Sequence, residues 1–337
     1  MNLPTLVIDH HGKSLFRLMQ QWRAKDQIAP VLLLTGPSGI GKRSMAHFLA
    51  QWIHCKTQGP NASPNAPLAP CGHCISCKKA LAGQDLDFVE IQSDSESDGP
   101  LKIDQFRQLK TTAGFGAHEN RFKIILIPSA DRMTPAASNS MLKLLEEPPS
   151  SWIFLLTCSD PTLLLPTLVS RCQVLRLKPF SDAQITELLT ESGVPKERIP
   201  FCTQIGQGSW KRALRFASDE IWQQRSVFFQ FFSNPGSVVS DLIDWTVEDK
   251  GHFDILLDFM EHVLAELIQG SLHDFASPDL AAHVKWATRH FGGTSGARSF
   301  WFARIERVAQ ARQESSAPLN RKLLAQDILL PWLGARA

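Results

Sequence analysis

The chain has 337 residues, 43% of them hydrophobic and 20% charged, so it can bury more than one core; a small disulfide-stapled scaffold is excluded and two or three domains are expected. Lys and Arg number 35 against 33 Asp and Glu, a formal charge of +2 that is too balanced for a protein coating nucleic acid by charge alone, so any DNA contact is local or shared with other chains. The N-terminus lacks a charged segment followed by a long apolar one, and no run of 18 apolar residues occurs, which points to a soluble cytosolic protein without membrane association.

Residues 31–35, Val-Leu-Leu-Leu-Thr, form an apolar run stopped by Gly36, as in a strand buried on both faces. A helix follows, because Met45, Phe48, Leu49, Trp52 and Ile53 recur at i, i+3, i+4, i+7 and i+8 and make one buried stripe. Residues 56–70, rich in Pro, Asn and Ala, read as a solvated loop, and so does the acidic run 93–100. Between them Cys71, Cys74 and Cys77 form two overlapping Cys-x-x-Cys steps. In a reducing compartment such a group points to metal, with a fourth ligand from elsewhere and Cys55, His54 and His73 as the candidates.

Residues 88–91, 122–127, 153–157 and 174–177 read as four further strands with helical patterns between most of them. Strands alternating with helices imply an α/β domain built on a parallel sheet. Thr134-Pro135 is an N-cap with proline at the first helical position, and that helix is stopped by Pro148-Pro149. Beyond residue 177 the pattern is helical, opening with a capping box at Ser181-Asp182-Ala183-Gln184 and broken near Gly206-Gln207-Gly208, Asn234-Pro235-Gly236 and Gly292-Gly293. The expected domains are an α/β domain over 1–179, a small helical domain over 180–219 and a helical domain over 220–337. Within the last, residues 228–232 and 253–267 are expected to form the domain's own core.

Gly36-Pro37-Ser38-Gly39-Ile40-Gly41-Lys42 lies between a strand and a helix, the context of a phosphate-binding loop. Gly36, Gly39 and Gly41 let backbone N–H groups point at phosphate oxygens, the helix N-terminus adds positive potential, and Lys42 supplies a mobile charge. The next position, where a Ser or Thr hydroxyl would bind magnesium, is Arg43. Ser44 is displaced by about 100° around the helix and does not replace it. Hydrolysis also needs an acidic residue after a neighbouring buried strand, usually with a Glu beside it, but residues 123–127 are followed by Pro128-Ser129. Asp131 comes two or three positions late and reads as a loop or helix-capping residue.

Five segments occur in a recognisable order: Gly36-Pro-Ser-Gly-Ile-Gly-Lys-Arg43, Cys71-Gly-His-Cys-Ile-Ser-Cys77, Ile103-Asp-Gln-Phe-Arg107, Asn139-Ser-Met-Leu-Lys-Leu-Leu-Glu-Glu-Pro-Pro149 and Leu165-Pro-Thr-Leu-Val-Ser-Arg-Cys172. Together they resemble the bacterial DNA polymerase III clamp loader, within the AAA+ class. The resemblance is specific over residues 20–215 and general beyond, where Asn320-Arg321-Lys322-Leu323-Leu324 is similar to a final collar helix. It implies an AAA+ parallel-sheet domain, a helical lid and an all-helical collar.

Motor subunits of the gamma/tau kind would carry Ser or Thr after Lys42 and Asp-Glu after residue 127, whereas a Gly-Lys-Arg ending resembles delta-prime. Arg43 with Pro128-Ser129 leads to the expectation that ATP or another nucleotide is bound weakly or not at all and is not hydrolysed. The delta-prime resemblance implies a non-hydrolysing stator that completes a ring. Its implied partners are gamma/tau and delta subunits, with the sliding clamp and primer-template DNA reached through the complex. It also implies that Arg171 acts in trans on a neighbour's ATP, against the local alternative that Arg171 pairs with a nearby carboxylate to fix its turn. Ser159 falls at the sensor position after the central strand. Lys211 matches a basic sensor on the second domain and equally fits a solvated helix face. In this family the cysteine site is an all-cysteine structural zinc site, which favours Cys55 as the partner of Cys71, Cys74 and Cys77. The alternative function is an autonomous ATPase of the gamma/tau type.

Overall fold

A computed structural model of the chain describes residues 5–91, 99–112, 116–269, 283–285, 287–289, 293–315 and 320–334. Most of the acidic run 93–100 lies outside the described residues. Two compact units are formed, one from Met1–Val194 with Gly206–Ala213, the other from Pro195–Ile205 with Leu214–Ala337.

In the first unit the expected strands are β1 (Val31–Thr35), β2 (Phe88–Glu90), β3 (Lys123–Ile127), β4 (Trp152–Cys158) and β5 (Gln173–Arg176). They form one sheet in the order β2-β3-β4-β1-β5, every pairing parallel, with Leu33 opposite Leu156 and Ile125 opposite Phe154. Residues of β1, β3 and β4 are buried throughout because both sheet faces are covered. One face packs Leu33, Ile125, Phe154 and Leu156 with Phe106, Met141 and Leu145 from α4 (Ile103–Thr112) and α5 (Pro135–Glu146). On the other, Leu32, Leu34 and Leu155 are fully buried, and α2 (Lys42–His54) lies against β1 and β4. The sheet is the AAA+ α/β arrangement, and because β1 is interior, Gly36 emerges at its carboxyl edge between β4 and β5.

Local capping follows the sequence. Thr134 Oγ1 accepts the Ala137 N–H at 3.2 Å to open α5 at Pro135. The Ser181–Gln184 capping box opens α7 (Asp182–Glu191). An additional helix, α1 (Thr5–Lys25), precedes β1. None of the motifs signals it, yet Leu15, Leu18, Met19 and Trp22 recur at helical spacing and are buried.

Residues 56–70 form the expected loop between α2 and α3 (Ile75–Leu81), but part of it is not solvated. Gly59 and Pro60 are buried, and four loop carbonyls, those of Gln58, Gly59, Ala66 and Pro67, accept hydrogen bonds from the buried Arg23 of α1.

The described helices of the second unit include α10 (Asp219–Ser233), α11 (Pro235–Glu248), α12 (Lys250–Gln269) and α13 (Thr294–Glu314), preceded in sequence by α8 (Ile199–Gly206) and α9 (Trp210–Ala217) and followed by α14 (Arg321–Leu329) and α15 (Pro331–Gly334). The apolar stretches at 228–232 and 253–267 build its core: Phe228 stacks on Phe259 at 4.5 Å between ring centroids, and Phe231 and Phe232 meet Trp332 edge-on. No helix among the described residues is long and apolar enough to cross a membrane.

Candidate functional site

The phosphate loop leaves β1 and turns into α2 as the motif requires. Gly36 has φ 147°, and a Cβ there would sit 2.4 Å from the Leu177 carbonyl oxygen. Gly39 has φ 77°, and a Cβ would meet Ser209 Oγ at 2.1 Å. Glycine is required at both positions by backbone conformation and by close approach.

Lys42 is buried, and its ammonium donates to Gly36 O at 2.6 Å, Pro37 O at 2.7 Å and Ser159 Oγ at 3.2 Å. Burial lowers its pKa, opposed by the nearby Asp131 carboxylate. The structure thus brings together Gly36, Gly39, Gly41, Lys42 and Ser159. Lys211 joins them through its backbone, donating its N–H to Gly39 O at 3.0 Å, while its side chain is exposed.

Arg43 turns away from the loop. Its Nε lies 2.5 Å from Glu90 Oε1, at the end of β2, and Glu90 also pairs with His47 at 3.2 Å. Burial pushes the Glu90 pKa up, but His47 and Arg43 outweigh this and lower it, so the carboxylate is charged and engaged. Ser44 is half-buried in the first turn of α2. At the end of β3, Ser129 has φ 51° and donates its N–H to Thr157 Oγ1 at 3.0 Å. Asp131 Oδ2 accepts the N–H groups of Ser159 at 2.7 Å and Asp160 at 3.2 Å, so this carboxylate ties the segment after β3 to the end of β4. Glu90, the last residue of β2, escapes the sequence motifs, and Asp131, four residues beyond β3, reads from sequence only as a loop or helix-capping residue.

Arg171 follows α6 (Pro166–Val169), donates to Thr167 O at 2.5 Å and forms an ion pair with Glu146 at 2.8 Å. Within this chain the arginine is therefore held by a carboxylate of α5, the local alternative raised by the sequence.

The sulfur atoms of Cys55, Cys71, Cys74 and Cys77 all lie within 4.8 Å of one another. A tetrahedral site with metal–sulfur bonds of about 2.3 Å needs sulfurs about 3.8 Å apart, which is the scale seen for Cys71 and Cys77 at 3.9 Å. The Gln58 and Cys71 N–H groups donate to Cys55 Sγ at 3.3 and 3.4 Å, and the Cys74 N–H donates to Cys71 Sγ at 3.3 Å. Burial opposes a thiolate at Cys55, but the N–H donors of Cys71 and Gln58 prevail and lower its pKa. The donor set fits a closed, four-coordinate metal site. Cys55 is the fourth member because its sulfur meets the other three, whereas His54 is turned to Asp85 at 2.7 Å and Phe122 O at 2.9 Å and neither His54 nor His73 joins the cluster. Burial raises the remaining thiols, Cys202 to about 11 and Cys172 to about 12, and these stay neutral.

A five-stranded parallel sheet with a glycine cradle at the carboxyl edge of β1 and a four-cysteine module between β1 and β2 defines a P-loop protein of the AAA+ class. A sequence profile for the family described as DNA polymerase III, delta subunit, matches residues 12–181, half of the chain, and the chain belongs to that family. Its relatives include DNA polymerase III subunit delta' of Pseudomonas aeruginosa, 29% identical over 94% of this chain and 95% of that protein. Subunit delta' of Haemophilus influenzae is 32% identical over 60% of this chain and 59% of that protein. Subunit tau/gamma of the same organism is 31% identical over 88% of this chain and 45% of that protein. The chain thus spans about half the length of the two Haemophilus relatives and nearly all of the Pseudomonas one. The family resemblance drawn from the motifs is borne out.

Proposed function

We propose that the chain is a delta-prime-type stator of a DNA polymerase III clamp loader, a subunit that completes a ring with gamma/tau and delta subunits without hydrolysing ATP itself. The observation that carries this reading is the chemistry around the phosphate loop: Arg43, paired to Glu90, stands where a magnesium-binding hydroxyl is needed, and Pro128-Ser129 stand where an acidic pair is needed. Without a fixed divalent ion the charge on a transferring phosphoryl group has little to stabilise it. The near full-length likeness to a delta' subunit supports the same reading. The sliding clamp and primer-template DNA are reached through the complex, in keeping with a net charge of only +2.

Arg171 is the residue offered to a neighbouring gamma/tau ATP site. A guanidinium suits this role, because its planar fork contacts phosphate oxygens while staying charged. It must exchange Glu146 for phosphate on assembly, and at 33% side-chain exposure it is accessible enough to do so. The test is Arg171→Ala in a reconstituted loader. Assembly should persist while DNA-stimulated hydrolysis falls about tenfold or more, less than the about 10³–10⁵ ascribed to single arginine fingers because several sites share the work. Normal assembly with normal hydrolysis and clamp loading defeats the role.

The second reading, an autonomous gamma/tau-type ATPase, is favoured by the intact glycine frame and Lys42. Magnesium-dependent turnover by the isolated chain, abolished by Lys42→Ala, would establish it in place of the stator. Under either reading the four cysteines hold a structural zinc, which would supply a cross-link among α2, the 56–70 loop and α3 and no open position for chemistry.

A further inference from the structure

The 15 residues between Cys55 and Cys71 make a long loop to close beside a metal, since ordering each residue costs backbone entropy. The loop supplies little apolar substance of its own: Asn61, Ser63, Pro64, Asn65 and Pro67 are exposed. Two arginines from outside reach it: Arg121 donates to the Asn61 side chain at 2.8 Å, and Arg23 takes the loop's backbone carbonyls. Arg23, only 9% exposed near the end of α1, lies over the Trp52 ring at 5.6 Å and donates to Ala66 O at 2.5 Å, Gln58 O at 2.6 Å, Pro67 O at 3.2 Å and Gly59 O at 3.3 Å. It thereby grips both ends of the loop, one beside Cys55 and the other approaching Cys71.

The peptide joining Gln58 and Gly59 is the point of contact with the sulfur site. It is a rigid plane pinned on both sides, its carbonyl by Arg23 at 2.6 Å and its N–H by Cys55 O at 3.1 Å. Gln58 also donates its own N–H to Cys55 Sγ at 3.3 Å. Gly59 permits the close approach, since a Cβ there would lie 2.3 Å from Cys55 O and 2.9 Å from Trp52 O.

We propose that Arg23 is a positioning residue for the four-cysteine metal site: by holding the carbonyls at 58–59 and 66–67 it keeps the Gln58 N–H on the Cys55 sulfur and returns the loop to Cys71. This rests on the zinc assignment made above. Groups that orient a metal's ligands from outside influence affinity as well as geometry, because a ligand free to swing leaves the metal more readily. Arginine suits the task because its planar fork reaches several carbonyls from one fixed position.

The test uses the full zinc-loaded chain as wild type, Arg23→Gln, Arg23→Lys and Arg107→Ala, the last removing an exposed arginine paired with Asp104. Zinc transfer to a chromophoric chelator, the thiolate-to-cobalt absorption of the cobalt-substituted chain and thermal unfolding are measured on each. Hydrogen exchange at the Gln58 amide is followed in the wild type. Transfer should be about 10- to 100-fold faster in Arg23→Gln with its secondary structure retained, intermediate in Arg23→Lys and unchanged in Arg107→Ala. A purely structural arginine would lower the unfolding temperature and leave both transfer and the cobalt spectrum of the folded chain unchanged, and that result overturns the proposal. A Gln58 amide in the zinc-loaded wild type that exchanges as fast as an open loop overturns it too, whether or not Arg23→Gln folds. Wild type holding no zinc removes the zinc assignment together with this role, whereas zinc-loaded wild type with unaffected transfer in Arg23→Gln removes the role alone.

Discussion

Lys42 illustrates how one side chain serves structure and a ligand site at once. Three oxygens within 3.2 Å accept from its buried ammonium, and those of Gly36 and Pro37 belong to the phosphate loop itself. Removing it leaves those groups short of a donor, so Lys42→Ala should destabilise the nucleotide-free chain by about 1–3 kcal/mol, read as a lower unfolding midpoint in urea. A lysine that served nucleotide alone would leave that midpoint unchanged. His11 provides a pH signal in the same region. Its Nε2 meets Ile40 O at 2.9 Å, and burial holds its pKa down to about 4, below the unfolded value of 6.5. The folded chain resists a proton that the unfolded chain accepts, so this contribution is complete above pH 6.5 and is lost as pH falls toward about 4. At about 1.4 kcal/mol per unit the loss approaches about 3 kcal/mol, and His11→Phe should flatten that part of the stability–pH curve in denaturant titrations.

Elements here are set by short-range chemistry that substitution can probe one end at a time. Thr134 caps α5, the helix that carries Glu146, and Thr134→Ala should cost about 1 kcal/mol in chemical unfolding, with Thr134→Ser restoring most of it. Gly39 is the narrowest point between the phosphate loop and the segment beginning at Ser209. Its positive φ strains any L side chain, and a methyl group there would crowd Ser209 Oγ at 2.1 Å and Lys211 Cβ at 3.0 Å. Gly39→Ala should therefore loosen residues 209–211 from the loop and raise hydrogen exchange at the Lys211 amide, now bonded to Gly39 O at 3.0 Å. Unchanged protection at Lys211 would show that the loop does not hold this segment.

At the scale of the molecule the two units draw on different sources of stability. The second has an aromatic core of Phe228, Phe231, Phe232, Phe259 and Trp332, while the first combines a sheet core with the cysteine module. Chelation of the zinc proposed for the four cysteines should lower the unfolding temperature of the first unit by about 2–4 °C for each kcal/mol lost, and leave hydrogen-exchange protection in α10–α12 unaltered. The same treatment should expose Cys55, Cys71, Cys74 and Cys77 to alkylation while Cys158 and Cys202, buried and with raised pKa values, remain unreactive until global unfolding.

What depends on neighbours a few residues away is written in the order of the amino acids. Apolar runs ending at Gly36 and Pro128 mark strands, the 3.6-residue stripe through Met45 and Ile53 marks α2, and Thr134 and Ser181 mark helix starts, because backbone geometry and capping act locally. The glycine cradle and the missing metal ligands were legible for the same reason. Which distant groups meet depends on how the folded chain packs, and it is absent from the local pattern. Packing turned Arg43 to Glu90, occupied Asp131 with the end of β4, paired Arg171 with Glu146, and set Arg23 on the loop that brings Cys55, already favoured from the family resemblance, to Cys71, Cys74 and Cys77. These partners are set by the packing of α1 and by strand order, which places β4 between β3 and β1, and no local spacing encodes either.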